Sequence, residues 1–189
     1  MGTSTNQSSP NTPGWRPVKA ILASTEWSVE RQSLEIWRAA LNDRQGRLQL
    51  ELSDPLVANA GVIAEERVNP AQAMRAFDQT AVESYSAGLI LDMAKRALVR
   101  ASAARSGAEG FASELFAEAA SYFASRDLPS YVGRPGRIQT STGAIAFKNQ
   151  IREIARQTAL SASRVRTDIG GWQAYVSETL SSLQNGRAQ

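Results

Sequence analysis

Between Trp27 and Leu183 the large apolar residues recur in steps of three and four, and the runs are broken at glycines and at Asp-Pro or Asn-Pro pairs. That spacing puts them on one side of successive α-helices, a period no strand can use. It predicts an all-α, multi-helix bundle over residues 18–189, preceded by an extended, flexible N-terminal tail over residues 1–17.

Local signals place the helices. Residues 18–24 form a connector, helical or extended. From Glu26 to Asn42, Trp27, Leu34, Trp37 and Leu41 lie at offsets of seven, ten and fourteen, with Ser28 as cap and Arg31, Glu35 and Arg38 on the wet side. Gln45-Gly46 breaks this run. Arg47 to Leu52 alternates polar and apolar, which predicts a short strand or the start of another helix. Asp54-Pro55 opens a helix through Glu66, and Asn69-Pro70 opens the longest run, Ala71 to about Ala104. Ala81, Ser84 and Gly88 are small enough on that run to admit a second helix closely. Ser106-Gly107 and Gly110 mark a turn. Residues 108–125 read as an amphipathic helix with a Phe111, Leu115, Ala119, Tyr122, Phe123 stripe. Residues 127–143 read as a loop, residues 144–163 as a helix, and Asp168 to Gly171 as a break before a last face from Trp172 to Leu183.

Composition narrows the chemistry. At 189 residues, 42% hydrophobic and 21% charged, the chain suits one domain with its own core. It has no histidine and no cysteine. Serine–histidine and cysteine–histidine nucleophiles are therefore excluded within the chain, as are thiolate or imidazole zinc sites and iron–sulfur ligation. No metal, cofactor or catalytic residue is expected. Glu65 with Glu66, and Asp78 with Glu83, lack metal-binding spacing, and Asp92, if buried, is expected to pair with Arg96 one turn on. No apolar run approaches a membrane span, and the N-terminus lacks a basic start followed by an apolar segment, so a cytoplasmic setting is the expectation.

The basic residues concentrate late. Arg134, Arg137, Lys148, Arg152, Arg156, Arg164 and Arg166 fall in a stretch whose sole acid is Glu153. Such a patch suits phosphates or an acidic protein face; a solvated helix surface is the alternative. Within it, Gly133-Arg134-Pro135 resembles the core of minor-groove hooks, but Val132 replaces the flanking arginine and there is one copy, so a surface turn between helices is the favoured reading.

The tail holds three of the seven prolines, no acid and one large apolar side chain, Trp15. It cannot bury enough surface to offset the entropy of ordering it. Removal of Met1 exposes the Gly2 amine, an unhindered nucleophile with a pKa near ~8. Asn6 stands where a myristoylation signal carries serine or threonine. The start Met1-Gly2-Thr3-Ser4, the polar stretch to Ser9-Pro10, and Pro13-Gly14-Trp15 together resemble the B component of Qat anti-phage defence systems. The likeness covers the first seventeen residues, with Ser9-Pro10 where the family pattern has Gly-Pro.

That resemblance implies a bacterial operon partnership with an ATPase, a QueC-like enzyme and a TatD-like nuclease. It implies a non-enzymatic chain whose Gly2 is recognised, and modified with a deazaguanine, by the QueC-like enzyme. Thr3 and Ser4 would supply hydrogen bonds in the partner's channel, with Pro10, Pro13 and Trp15 holding the leader extended and anchored. Two other classes compete: a helical nucleic-acid-binding protein using residues 134–166, and a phage or structural adaptor whose tail threads into a neighbour.

Overall fold

The computed structural model describes residues 20, 22, 24, 26–43, 47–83, 88–128, 132–133, 138–162, 164–166 and 168–185. Among them every regular element is a helix: α1 (Val29–Asp43), α2 (Arg47–Leu52), α3 (Pro55–Glu65), α4 (Pro70–Glu83), α5 (Leu89–Ala104), α6 (Gly107–Asp127), α7 (Ser141–Ser161) and α8 (Ile169–Asn185). The expected all-α bundle is what forms.

The starts follow from side chains that satisfy the orphan amides of each first turn. Ser28 Oγ accepts from Arg31 N at 3.2 Å, Asp54 Oδ1 from Leu56 N at 2.8 Å, and Asn69 Oδ1 from Gln72 N at 2.9 Å. Pro55 and Pro70 sit at first helical positions, where a missing N–H costs nothing.

Several boundaries differ from expectation. Residues 47–52 take the helical one of their two expected forms: Leu48 and Leu52, four apart, are fully buried while Leu50 is 73% exposed. The run from 71 to 104 is two helices, with residues 84–87 outside the described set and Gly88 at φ 106° ahead of α5. No second helix is admitted through Gly88, which is exposed, and Ser84 lies outside the described residues. Helix α7 starts three residues before Ala144, because Thr140 Oγ1 accepts from Gly143 N at 3.0 Å. Asp168 to Gly171 is the beginning of α8 rather than a gap before it, capped by Asp168 Oδ1 on Gly171 N at 2.8 Å.

Helix α6 is the hub. Helices α7 and α5 pack along it most extensively, with α3 and α1 also against it, while α8 closes over α1, α2, α3 and α7. The expected aromatic stripe is buried at Phe111, Leu115, Ala119 and Phe123, with Tyr122 at the rim. Yet α6 is not amphipathic in the simple sense: Ala112, Phe116, Ala117, Ala120 and Ala124 are buried as well, so nearly its whole circumference is covered.

A chain of ring contacts runs through this core. Phe123 meets Trp37 at 6.0 Å, Trp37 meets Phe116 at 6.1 Å, and Phe116 meets Tyr175 at 6.2 Å. Tyr175 then meets Trp172 at 5.7 Å and Trp172 meets Phe111 at 5.8 Å. Each such pair adds about 0.5–1.5 kcal/mol beyond its buried area. The polar ends of two rings are satisfied across helices: Trp172 Nε1 donates to Leu52 O and Tyr175 Oη to Ala159 O, both at 2.8 Å. Burial raises the Tyr175 phenol pKa well above the ordinary tyrosine value, so this hydroxyl stays a donor at any physiological pH.

Candidate functional site

The tail residues singled out by sequence, Gly2, Thr3, Ser4, Pro10, Pro13 and Trp15, lie outside the described residues, as do Arg134 and Arg137. The described chain attaches to the body ahead of α1. Leu22 is buried in the core, and Gln32 Nε2 of α1 donates to Ser24 O at 3.2 Å. Trp27, expected inside, precedes the helix half-buried, with the Arg31 guanidinium 3.9 Å above its ring.

The basic side chains of α7 have a definite destination. Arg152 Nη2 lies 2.7 Å from Glu114 Oε2 and 3.1 Å from Glu118 Oε1, and Arg156 Nη2 lies 2.7 Å from Glu114 Oε1. From the other flank, Arg96 Nε of α5 reaches Glu118 Oε2 at 2.8 Å, and Arg100 contacts both Glu118 and Glu114. Glu114 and Glu118 are four apart on α6, so one helical face offers both carboxylates to two neighbouring helices. Arg156 also pairs with Glu153 on its own helix. Asp92 is exposed, so it needs no buried partner, and Arg96 turns instead to Glu118, the more buried acid of the α5–α6 seam. Lys148 stands apart, half-buried beside a small apolar groove of about 270 Å³ lined by Leu128, Val132, Ala144 and Ile145.

A cleft of about 700 Å³ opens where the end of α3, the α5–α6 turn and the segment before α8 meet. Glu65, Arg67, Glu109, Arg164, Arg166 and Asp168 line it. Glu65 Oε2 accepts from Ala108 N at 2.9 Å, placing a carboxylate on the positive end of α6. Gly107 makes this possible twice over: its φ of 66° is left-handed, and a Cβ there would stand 2.7 Å from Glu65 Oε2. Asp168 is held below the usual carboxylate range, first by the Gly171 N–H it accepts and then by the Arg166 charge 3.1 Å away. Gly171 is likewise sterically required, since a Cβ would come within 2.5 Å of the Arg166 side chain.

Sequence reading placed Arg164 and Arg166 in one basic stretch with Arg152 and Arg156, whereas the fold sends the two pairs to different places. Arg67 was not singled out. Its signal is visible only in the backbone, at φ 52°. Among the described residues, no group of three or more carboxylates is gathered for a metal ion, and no helix is long and apolar enough to cross a membrane.

No protein-family model matches this sequence, and neither a curated protein nor a solved structure does.

Proposed function

We propose that this chain is the protein substrate or recognition partner of a QueC-like enzyme in a bacterial anti-phage system, and is not itself the catalyst. The observation that carries this reading is the acid-free leader that begins Met1-Gly2-Thr3-Ser4 and continues through Pro10, Pro13 and Trp15. The body supports it in a secondary way. Leu22 is buried in the core and Ser24 O accepts from Gln32 of α1 shortly after the leader, so a partner that grips the leader also holds the helical domain.

The chemistry is acyl transfer. After Met1 is removed, the partner uses ATP to adenylate a deazaguanine carboxylate, releasing pyrophosphate. The neutral Gly2 amine attacks the activated carbon, a C–N bond forms, AMP departs with the bonding pair, and the amine proton passes to solvent or a base. Gly2 suits this role because no side chain hinders its nitrogen. Thr3 and Ser4 supply hydrogen bonds, and the prolines limit the conformations lost on binding.

The competing nucleic-acid reading draws on Arg152 and Arg156, whose charges are directed at Glu114 in this fold. Intact-mass and N-terminal peptide spectrometry after co-expression with the neighbouring operon proteins tests the proposal. An added mass on Gly2, lost in Gly2→Pro, is expected. An unmodified Gly2, together with unchanged partner binding after deletion of residues 1–17, would overturn it.

A further inference from the structure

We propose that the 700 Å³ cleft between α3, the α5–α6 turn and the start of α8 is a binding site for a compact polyphosphate, held by Arg67 and Arg164. The residues named for it lie outside the leader sequence, and the assignment does not depend on modification of Gly2.

The charges of the cleft are unevenly committed. Glu65 is tied to the Ala108 amide, and Asp168 to the Gly171 amide and to Arg166. Among the described residues, Arg67 and Arg164 have no carboxylate partner. The remaining acid of the cleft, Glu109, sits in the first turn of α6, where the helix dipole already favours it. Two guanidinium forks from separate segments thus face one cavity with their donors unspent. A planar fork matches the paired oxygens of a phosphoryl group, and two forks match two linked groups.

Among the described residues the two non-glycine positions with left-handed backbone are both arginines, Arg67 and Arg105, each at φ 52°. Both lie on segments that border this cleft: Arg67 lines it, and Arg105 directly precedes the Ser106 rim. Each ends a helix, α3 and α5, where a left-handed residue is a common stop, so what sets Arg67 apart is that its side chain lines the cleft. Because Glu65 fills the amide seat of α6, the arginines rather than the helix terminus are the anion donors.

The lining also limits what is read. Among the described residues no aromatic ring lines the cleft, and its apolar contribution comes from Ala108 and Val165. With no aromatic side chain there to hold a nucleobase, recognition rests on the phosphates.

Isothermal titration of the full chain with tripolyphosphate, ATP and AMP tests this directly. Tripolyphosphate and ATP are expected to bind within about threefold of each other, and AMP at least about tenfold more weakly, with affinity falling as salt is raised. Arg67→Gly is expected to weaken tripolyphosphate binding at least about tenfold while leaving Tm unchanged or a few degrees higher, since glycine relieves the left-handed strain. Arg164→Gln is expected to weaken binding similarly, and Lys148→Gln, outside the cleft, to leave it intact. Absence of binding by the unsubstituted chain, undiminished binding by Arg67→Gly, or equal loss in Lys148→Gln would each overturn the assignment. ATP binding far tighter than tripolyphosphate would overturn recognition through phosphates alone.

Discussion

Glu118 is the residue on which the middle of the bundle turns. Its side chain is 8% exposed, yet it accepts guanidinium contacts from Arg96, Arg100 and Arg152. Glu118→Gln keeps the shape and removes the charge, leaving those cations to repel one another across the seam. The loss is expected to be about 1–3 kcal/mol, below that of a fully buried pair because Arg96 and Arg100 remain 49% and 44% exposed. In urea denaturation, Glu35→Gln, which removes the more exposed pair with Arg38, should shift stability by less than about 0.5 kcal/mol. Equal effects from the two substitutions would contradict the network. Asp168 gives a pH signature. Its folded pKa is depressed, so its contribution is present above the ordinary value of 3.8 and is lost as pH falls through the lower folded value. Asp168→Asn should therefore lower the Tm near neutral pH, and the gap to the unsubstituted chain should close in acid. A gap that widens on acidification would reverse the assigned sign. Neither residue was legible as important from sequence. Glu118 lies 18 residues from Arg100, and the side chain of Arg152 meets Glu114 across a separation of 38.

At the scale of elements, caps were readable and faces less so. Ser28, Asp54 and Asn69 act within three residues of themselves, and each starts the helix its local sequence indicates. The segment 47–52 shows the limit. Leu48, Leu50 and Leu52 satisfy a strand's alternation, but Leu48 and Leu52 also satisfy the four-residue step of a helix, and six residues are too few to separate the two periods. The absence of a partner strand among the described elements decides it, because an isolated strand leaves its backbone groups unpaired. The two periods give opposite mutational patterns. In a helix, Leu48→Ala should cost about 2–5 kcal/mol by opening a cavity, whereas Leu50→Glu should change stability by less than about 0.5 kcal/mol. A strand burying all three leucines would make both severe, and chemical denaturation of the two variants separates the cases. The division of the 71–104 run at Gly88 is a second example. Apolar steps continue through the break, so periodicity alone cannot register a change of direction.

For the whole molecule, the decisive feature is that α6 is enclosed by α1, α3, α5 and α7. Its aromatic stripe was visible in sequence, but its alanines were not visible as contact positions, since alanine is neutral in any helical pattern. Ala112, Ala117, Ala120 and Ala124 are small because other helices lie against them. Ala120→Leu should therefore cost about 1–3 kcal/mol through overpacking, although leucine is nearly as good a helix former. A urea midpoint unchanged by Ala120→Leu would show that this face has room to spare.

By itself the sequence determined the helical class, the helix starts at Ser28, Asp54 and Asn69, the exclusion of histidine and cysteine chemistry, and the compositional contrast between leader and body. These are properties of composition or of residues within a turn of one another, where capping geometry and periodicity act. Only the tertiary structure decided that Arg152 and Arg156 answer Glu114 while Arg164 and Arg166 reach the cleft with Arg67. Charges far apart in sequence meet only after helices pack, and the order of residues along the chain does not record which helix faces which.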